Sequence, residues 1–339
     1  MMRTHFLLIF VFITTCTFSQ IGGRYTYQFL NLVSSPRQAA LGGKYVTGYN
    51  DDPTSAILNP ASIQLQMDNQ LAVNYVNYIA DVNYGSVSYA KAFGAKERVF
   101  HAGVTYINYG TFAGFDEFGV ATNDFGASEV AISIGYAYTI PNSNIHVGAN
   151  AKFISSKLEE YTSLGGAVDL GLIYHNPEST FDFGIVVRNL GTQFTTYAEI
   201  REDLPLAVDA GFAQTLKNVP IRWNFTLENL HIWDIAFSNP ARDLTDLEGN
   251  VEEDDPGFFN NALRHTVLGL EFFPDSGFNI RVGYNFRRSE ELRIENQRSF
   301  AGLSGGIALT LGKFKFAYSY ARYNSAASTS TFGININLQ

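Results

Sequence analysis

Histidine is the residue most ready to bind a metal or move a proton near neutral pH, and this sequence carries six: His5, His101, His146, His175, His231 and His265. They are scattered, and no two stand four apart, the spacing that sets a pair of imidazoles on one helix face. They read as isolated strand or turn residues, with no metal site and no cofactor. Cys16 is the only cysteine and lies in an apolar opening segment. Loss of that segment leaves no thiol for a disulfide, for catalysis or for a metal. The acid pairs Asp51 with Asp52 and Glu159 with Glu160 are adjacent, and neighbours on an extended chain point apart. Neither pair sets up a two-carboxylate catalyst.

The densest charge is "ARDLTDLEGNVEEDDPG", residues 241–257, with Asp243, Asp246, Glu248, Glu252, Glu253, Asp254 and Asp255. Its carboxylates could collect a hard divalent cation, but the spacing does not match a calcium-hand loop, so it reads as a solvated outer loop, with a cation site and a docking surface as the alternatives. No G-x-S-x-G elbow, phosphate-cradling loop or dinucleotide fingerprint occurs. The expectation is a protein that is not an enzyme.

What, then, do the elements hold in place? The opening "MMRTHFLLIFVFITTCTFSQ" has a cation at Arg3 and an apolar run from Phe6 to Phe18, the pattern of a secretory signal peptide with cleavage near Gln20. The run is shorter than the roughly 20 residues a spanning helix needs. Thr15 stands where lipid attachment to Cys16 would want a smaller residue. Over 339 residues the formal charge is −9, with 16% charged and 14% aromatic residues and 30 glycines. An acidic chain argues against nucleic acid, which calls for clustered Lys and Arg. So few charges and so many rings require an apolar environment outside the protein.

From Leu71 onward the period is two. In "EVAISIGYAYTI", Val130, Ile132, Ile134, Tyr136, Tyr138 and Ile140 share one face, and Ala131, Ser133, Gly135, Ala137 and Thr139 the other. "KFKFAYSYAR", "GFNIRVGYNFR" and "PIRWNFTLEN" repeat this grammar. Strands are expected at 70–80, 84–93, 98–111, 128–140, 144–157, 164–175, 180–192, 205–217, 219–232, 264–273, 277–288, 300–311, 313–323 and 328–338. About 14 long strands with one greasy and one polar face predict an all-β transmembrane barrel rather than a soluble sandwich, whose strands are shorter. Short turns at 94–97, 141–143, 176–179, 217–220, 274–277 and 312 alternate with long connections at 112–127, 193–204, 233–263 and 289–299. That alternation is the habit of outer-membrane barrels, with short turns and both chain ends in the periplasm. The last strand, "TFGININLQ", ends on Leu338 and Gln339 instead of an aromatic. The domains expected are a signal peptide over 1–20, an N-terminal hatch over 21–69 and the barrel over 70–339.

A barrel of this size needs a filling, and "SSPRQAALGGKYVTGYNDDPTSAILNPAS" has neither strand rhythm nor a convincing helix face. Its small and turn-forming residues suit a compact plug, with a bend at Pro60, which also restricts Asn59. Within it "NDDPTSAILNPAS" resembles the hatch signature of FadL-like outer-membrane barrels, carried here by Asp51, Asp52, Pro53, Asn59, Pro60 and Ala61. "GGRYTYQFLNLVSSPRQAALGG" resembles the start of the PorQ family, FadL-like components of the type IX secretion system in Bacteroidetes. The resemblance implies a 14-stranded, non-enzymatic anchor in the outer membrane. It would hold a PorZ-like surface protein in an attachment complex with PorU and PorV, and lipopolysaccharide stays an open partner.

The runner-up is a FadL-type transporter of hydrophobic small molecules, which needs an apolar lumen. The inward faces, with Arg222, Glu228, Arg281, Arg287, Lys313 and Lys315, read as polar instead. The four long connections offer aromatics for docking: Phe112, Phe115, Phe118, Phe125, Tyr197, Phe258 and Phe259.

Overall fold

A computed structural model describes residues 25–80, 82–93, 98–236, 244–245, 251–252, 256–292, 300–323 and 327–339. The expected signal peptide, the turn at 94–97 and most of the acidic 241–257 stretch lie outside them. The alternating sequence folds into a closed antiparallel barrel of 14 strands. In chain order these are β1 (Gln70–Asn77), β2 (Asn83–Phe93), β3 (Arg98–Phe112), β4 (Phe125–Thr139), β5 (Ile145–Leu158), β6 (Tyr161–Asn176), β7 (Phe181–Thr195), β8 (Ala207–Thr215) and β9 (Ile221–Leu227). A two-residue hairpin, β10 (Leu244–Thr245) with β11 (Val251–Glu252), stands apart from the barrel. The barrel resumes with β12 (Thr266–Phe272), β13 (Phe278–Asn285), β14 (Leu303–Leu311), β15 (Phe314–Arg322) and β16 (Ser328–Asn337). The first and last strands close the ring, with Gln70 opposite Asn337 and Val73 opposite Ile334. The first barrel strand therefore starts, and the last one ends, at the short-turn end. The described chain itself starts at the other end, where Tyr25 bridges Asp203 of the long β7–β8 connection, against the expectation that both chain ends lie on the short-turn side.

The faces fall as the alternation requires. On β4, Ile132 and Ile134 are exposed while Ser133 is buried, and on β15 Phe314, Phe316, Tyr318 and Tyr320 all point out. The outward band includes Val73, Phe100, Leu170, Leu268, Leu270 and Phe332, and the inward face includes Asn74, His101, Asp169, Asp209, Glu271 and Arg281.

The wall is uneven. The strands β3 to β7 have 14–16 residues each, whereas β8, β9, β12 and β13 have 7–9. All four expected strands on the low side come out shorter. The segment read as 219–232 ends at Leu227, and Asn229 then takes φ 57, a left-handed conformation that turns the chain out of the sheet. Ahead of β12 the chain forms a helix, Phe258–Arg264, where a loop was expected. The segment read as 277–288 stops at Asn285, whose side chain accepts from the Arg288 N–H at 2.8 Å and caps the helix Phe286–Glu291. Arg287 therefore stands on that helix instead of a strand, paired with Glu291 and within electrostatic reach of the buried Glu228 and Lys44. Lys313 lies in the tight turn after Gly312 and donates to the Gln339 carbonyl, so it is outside the lumen.

Residues 25–69 fill the barrel. The run with no obvious helix face forms single turns, Pro36–Ala40 and Ser55–Leu58, joined by bends. Pro36 opens the first, where its missing N–H costs nothing. Gly42 and Gly43 close it at φ 89 and 99, with the Gly43 N–H donating to the Gln38 carbonyl at 2.8 Å. The lumen face is thus matched to a short-range plug instead of water.

Candidate functional site

The hatch motif works as a set of local braces. Asp52 accepts from the Thr54 N–H at 2.9 Å and from the Ser35 hydroxyl at 3.2 Å, while its own N–H donates to Asn50 Oδ1 at 2.8 Å. The buried Pro53 lends its carbonyl to the Ala56 N–H. Asn59 Oδ1 accepts from the Ala61 N–H at 3.0 Å, and Asn59 Nδ2 donates to the Val46 carbonyl at 2.8 Å. Asn59, Pro60 and Ala61 are all buried. The bend therefore satisfies its own backbone, which a buried irregular segment must do.

Both sides of the barrel touch the hatch closely, and one of them adds charge. Toward the long strands it seats by close approach: a Cβ at Gly148 would lie 2.4 Å from the Pro60 carbonyl carbon, and one at Gly171 would collide with Asn59 Oδ1 at 2.0 Å. Asn150 Nδ2 donates to the Ala56 carbonyl there at 2.7 Å. Toward the short strands close approach recurs at Gly283 on β13, where a Cβ would lie 2.2 Å from the Gly42 N, and charge is added. Arg37 of the hatch donates to Glu271 at 2.8 Å, Arg281 donates to the other Glu271 oxygen at 2.8 Å, and Arg222 stands at 3.8 Å. Asp209 accepts from Arg188 at 2.8 Å and faces Lys44 at 3.8 Å. A third tie, Lys315 to Asp51 at 3.0 Å, sits nearer solvent.

The electrostatics of the hatch side follow from these neighbours. Burial alone would lower the Arg37 pKa, but the Glu271 carboxylate more than offsets it and holds Arg37 above its ordinary value. Burial pulls Lys44 down, with Arg188 adding to the pull and Asp209 opposing it. Burial pushes Asp51 up, and Lys315 overrides this to hold it below the usual carboxylate range.

Two sequence readings of chemistry meet the geometry here. His146 and His175, 29 residues apart in sequence by subtraction of their numbers, come together around Tyr49, whose ring lies 4.6 Å and 4.2 Å from theirs. Burial, with Asp182 nearby, pushes the Tyr49 hydroxyl up to about 12. No linear spacing announced this cluster, because the hatch and two strands each supply one ring. Among the described residues no group of three or more His, Cys, Asp or Glu side chains is placed to hold a metal.

The aromatics named for docking divide. Phe115 and Phe118 are exposed on the β3–β4 connection, and Phe258 and Phe259 on the helix before β12. Phe112 and Phe125 end β3 and begin β4, and they stack on each other at 5.4 Å. Tyr197 turns inward: its hydroxyl and the Ser156 hydroxyl lie 2.5 Å apart, and its ring meets Tyr27 of the hatch at 6.4 Å.

Hollows beside the hatch are small. One of about 20 Å³ is lined by Arg37, Asp52, Arg281 and Lys315, and one of about 10 Å³ by Gln38, Lys44 and Arg188. Each has room for about one water. Two larger hollows open at the outer end of the long strands. A polar one of about 530 Å³ lies by Thr111, Asp124, Lys157 and Glu160, and an apolar one of about 340 Å³ by Tyr109, Phe112, Leu158 and Tyr161.

No protein-family model and no curated protein matches the sequence. Solved structures do. The Pseudomonas putida toluene transporter TodX is similar at 12% identity and a TM-score of 0.54, over 91% of this chain and 99% of that one. The Ralstonia pickettii toluene transporter TbuX is similar at 13% and 0.51, over 90% and 98%. A Pseudomonas aeruginosa FadL homologue is similar at 8% and 0.52, over 90% and 98%. The closed 14-stranded barrel around an N-terminal plug, matched end to end with these proteins, is the fold of the FadL-like outer-membrane barrels.

Proposed function

We infer that the protein is a non-enzymatic scaffold of a type IX secretion system, a barrel kept shut by its hatch that presents outer loops to a PorZ-like surface protein. The observation that carries this reading is the hatch tied by charge into the barrel wall. Arg37, Lys44 and Asp51 of the hatch are tied into strand charges, and the two hollows beside them measure about 20 and 10 Å³. Releasing such a plug would strand buried charges, each worth several kcal/mol. A closed plug suits an anchor. The resemblance at "GGRYTYQFLNLVSSPRQAALGG" supplies the system, with PorU and PorV as neighbours in the complex and lipopolysaccharide as a further candidate partner. Phe115 and Phe118 supply exposed aromatic anchors of the kind that centre a docking patch.

The test is recovery of the intact protein from outer membranes and identification of what co-purifies, repeated with the 113–124 connection shortened. Loss of a surface protein, with the barrel at normal abundance, supports the scaffold. Unchanged partners after each outer connection is shortened in turn sink it.

A second reading, a FadL-type transporter of hydrophobic small molecules, has its own support. The similar structures are toluene transporters and a FadL homologue, and they speak for this reading more than for the first. The apolar hollow by Tyr109, Phe112, Leu158 and Tyr161 offers a hydrophobic first stop. Toluene uptake into vesicles that carry the purified barrel, absent from empty vesicles, would establish it.

A further inference from the structure

The low side of the barrel is too short to cover the apolar layer of a membrane with sheet alone. Seven residues in β9 and seven in β12, at ~3.4 Å each and a tilt of ~40°, rise roughly 18 Å, against an apolar band of ~25 Å. Above that deficit the chain sets large apolar side chains among polar ones such as His231, Asp234 and Asn260. It builds a fixed apolar ledge.

Trp233 stacks on Phe258 at 5.0 Å and on His265 at 5.3 Å, and Phe258 meets Phe259 edge-on at 5.7 Å. Several polar groups are turned inward as fasteners, while His231 and Asp234 stay exposed beside Trp233. Asn261 Nδ2 donates to the Trp233 carbonyl at 2.6 Å, and its Oδ1 accepts from the Ile235 and Ala236 N–H groups at 3.2 Å. His265 bonds the Glu228 and Trp233 carbonyls at 2.6 and 2.9 Å. The apolar side is left outside: Phe259 is 81% exposed, Phe258 66%, Leu263 49% and Trp233 47%.

The ledge is continuous with the lipid-facing side. Leu268 and Leu270 point out from β12, and the same register reaches Thr266, whose hydroxyl donates to the Ala262 carbonyl of the helix at 3.3 Å. An apolar surface that prolongs a lipid-facing wall, and is rimmed by Trp and Phe, has the chemistry of a membrane interface.

We propose that the Phe258–Arg264 helix with Trp233 is a membrane-interface anchor that seats in the outer leaflet and makes up the missing height of the low wall. This holds under either reading of the function, and it takes Phe258 and Phe259 out of the docking set in favour of Phe115 and Phe118.

The test uses the full barrel in lipid vesicles with Trp223→Phe, which leaves Trp233 as the sole tryptophan. Nitroxide lipids labelled near the headgroup should quench Trp233 strongly, those labelled at the chain end should quench it less, and aqueous iodide should quench it severalfold less than it quenches free tryptophan. A nitroxide at Phe259→Cys should report the same shallow depth, independently of the Trp223 change. Trp233 open to iodide and untouched by the labelled lipids would overturn the proposal. So would a Trp233 that becomes shielded only when a surface protein is added, since that outcome returns the ledge to protein docking.

Discussion

The tall wall, β3 to β7, and the low wall, β8, β9, β12 and β13, both pack closely on the same hatch, and the low wall adds charge. The tall wall presents glycines and amides, so that the Asn59–Pro60–Ala61 bend lies directly on the strand backbones at Gly148 and Gly171. The low wall presents Asp209, Glu271 and Arg281, and the hatch answers with Lys44 and Arg37. Close packing is short-ranged and fixes position to within a fraction of an ångström. Ion pairs in a low-dielectric interior are costly when broken from one side. Both walls therefore set where the plug sits, since Gly283 on β13 approaches Gly42 as closely as Gly148 and Gly171 approach the bend. The low wall adds to what it costs to leave.

The largest effect should come from removing the shared counter-ion of the low wall. Glu271→Gln leaves Arg37, Arg281 and Arg222 without their carboxylate, and one-sided loss of a buried pair costs about 3–5 kcal/mol. Denaturant unfolding in detergent should show that loss, and limited proteolysis should cut the hatch sooner. A hatch as resistant as in the parent would break the comparison.

On the lipid face of the tall wall, Ile134→Arg should cost ~2–4 kcal/mol near the membrane midplane, read as impaired assembly by gel migration with and without boiling. Arg at the lumen position Ala317 is not the harmless control that a water-filled lumen would make it, because Ala317 lines the small hollow beside Arg37, Arg281 and Lys315. Lipid-facing and lumen positions are both sensitive, for different reasons.

Gly148→Ala tests the seat itself. The new methyl would press on the Pro60 backbone at 2.4 Å, and overpacking of this kind costs about 1–3 kcal/mol. Its mark should be a displaced hatch with the barrel still closed, seen as faster cleavage within 25–69 at unchanged heat-modifiable migration.

The pH dependence of the outermost tie should be weaker still. Lys315 holds the Asp51 pKa below its ordinary value, so this tie contributes above the unfolded carboxylate pKa and is lost as pH falls through the depressed one. Hatch protection should persist at pH 5 and loosen only in stronger acid, and Asp51→Asn should remove that acid step. At the small end, Phe118→Ala on the exposed β3–β4 connection should shift unfolding by no more than ~0.5 kcal/mol, while reducing retention of a docked surface protein.

Much of this molecule was legible in its residues. Alternation in stretches such as "EVAISIGYAYTI" set the strands, the inward and outward faces and the count of 14, since a period of two can bury only one face. The Gly, Pro and Asn content of 34–62 marked a non-sheet filling. Turn chemistry announced the short hairpin at 141–143, where Asn142 takes φ 57. The structure alone decided the heights of the walls. Continuous apolar alternation does not say where a strand leaves the sheet, and it was the Asn229 turn and the Asn285 cap that ended β9 and β13. Nor do linear spacings reveal partners brought together by closure: Arg37 meets Glu271 across 234 residues, and Tyr49 meets two histidines from separate strands. A sequence determines the pattern each strand carries, but which charges face one another in the lumen follows from the order in which the barrel closes around its own N-terminal segment.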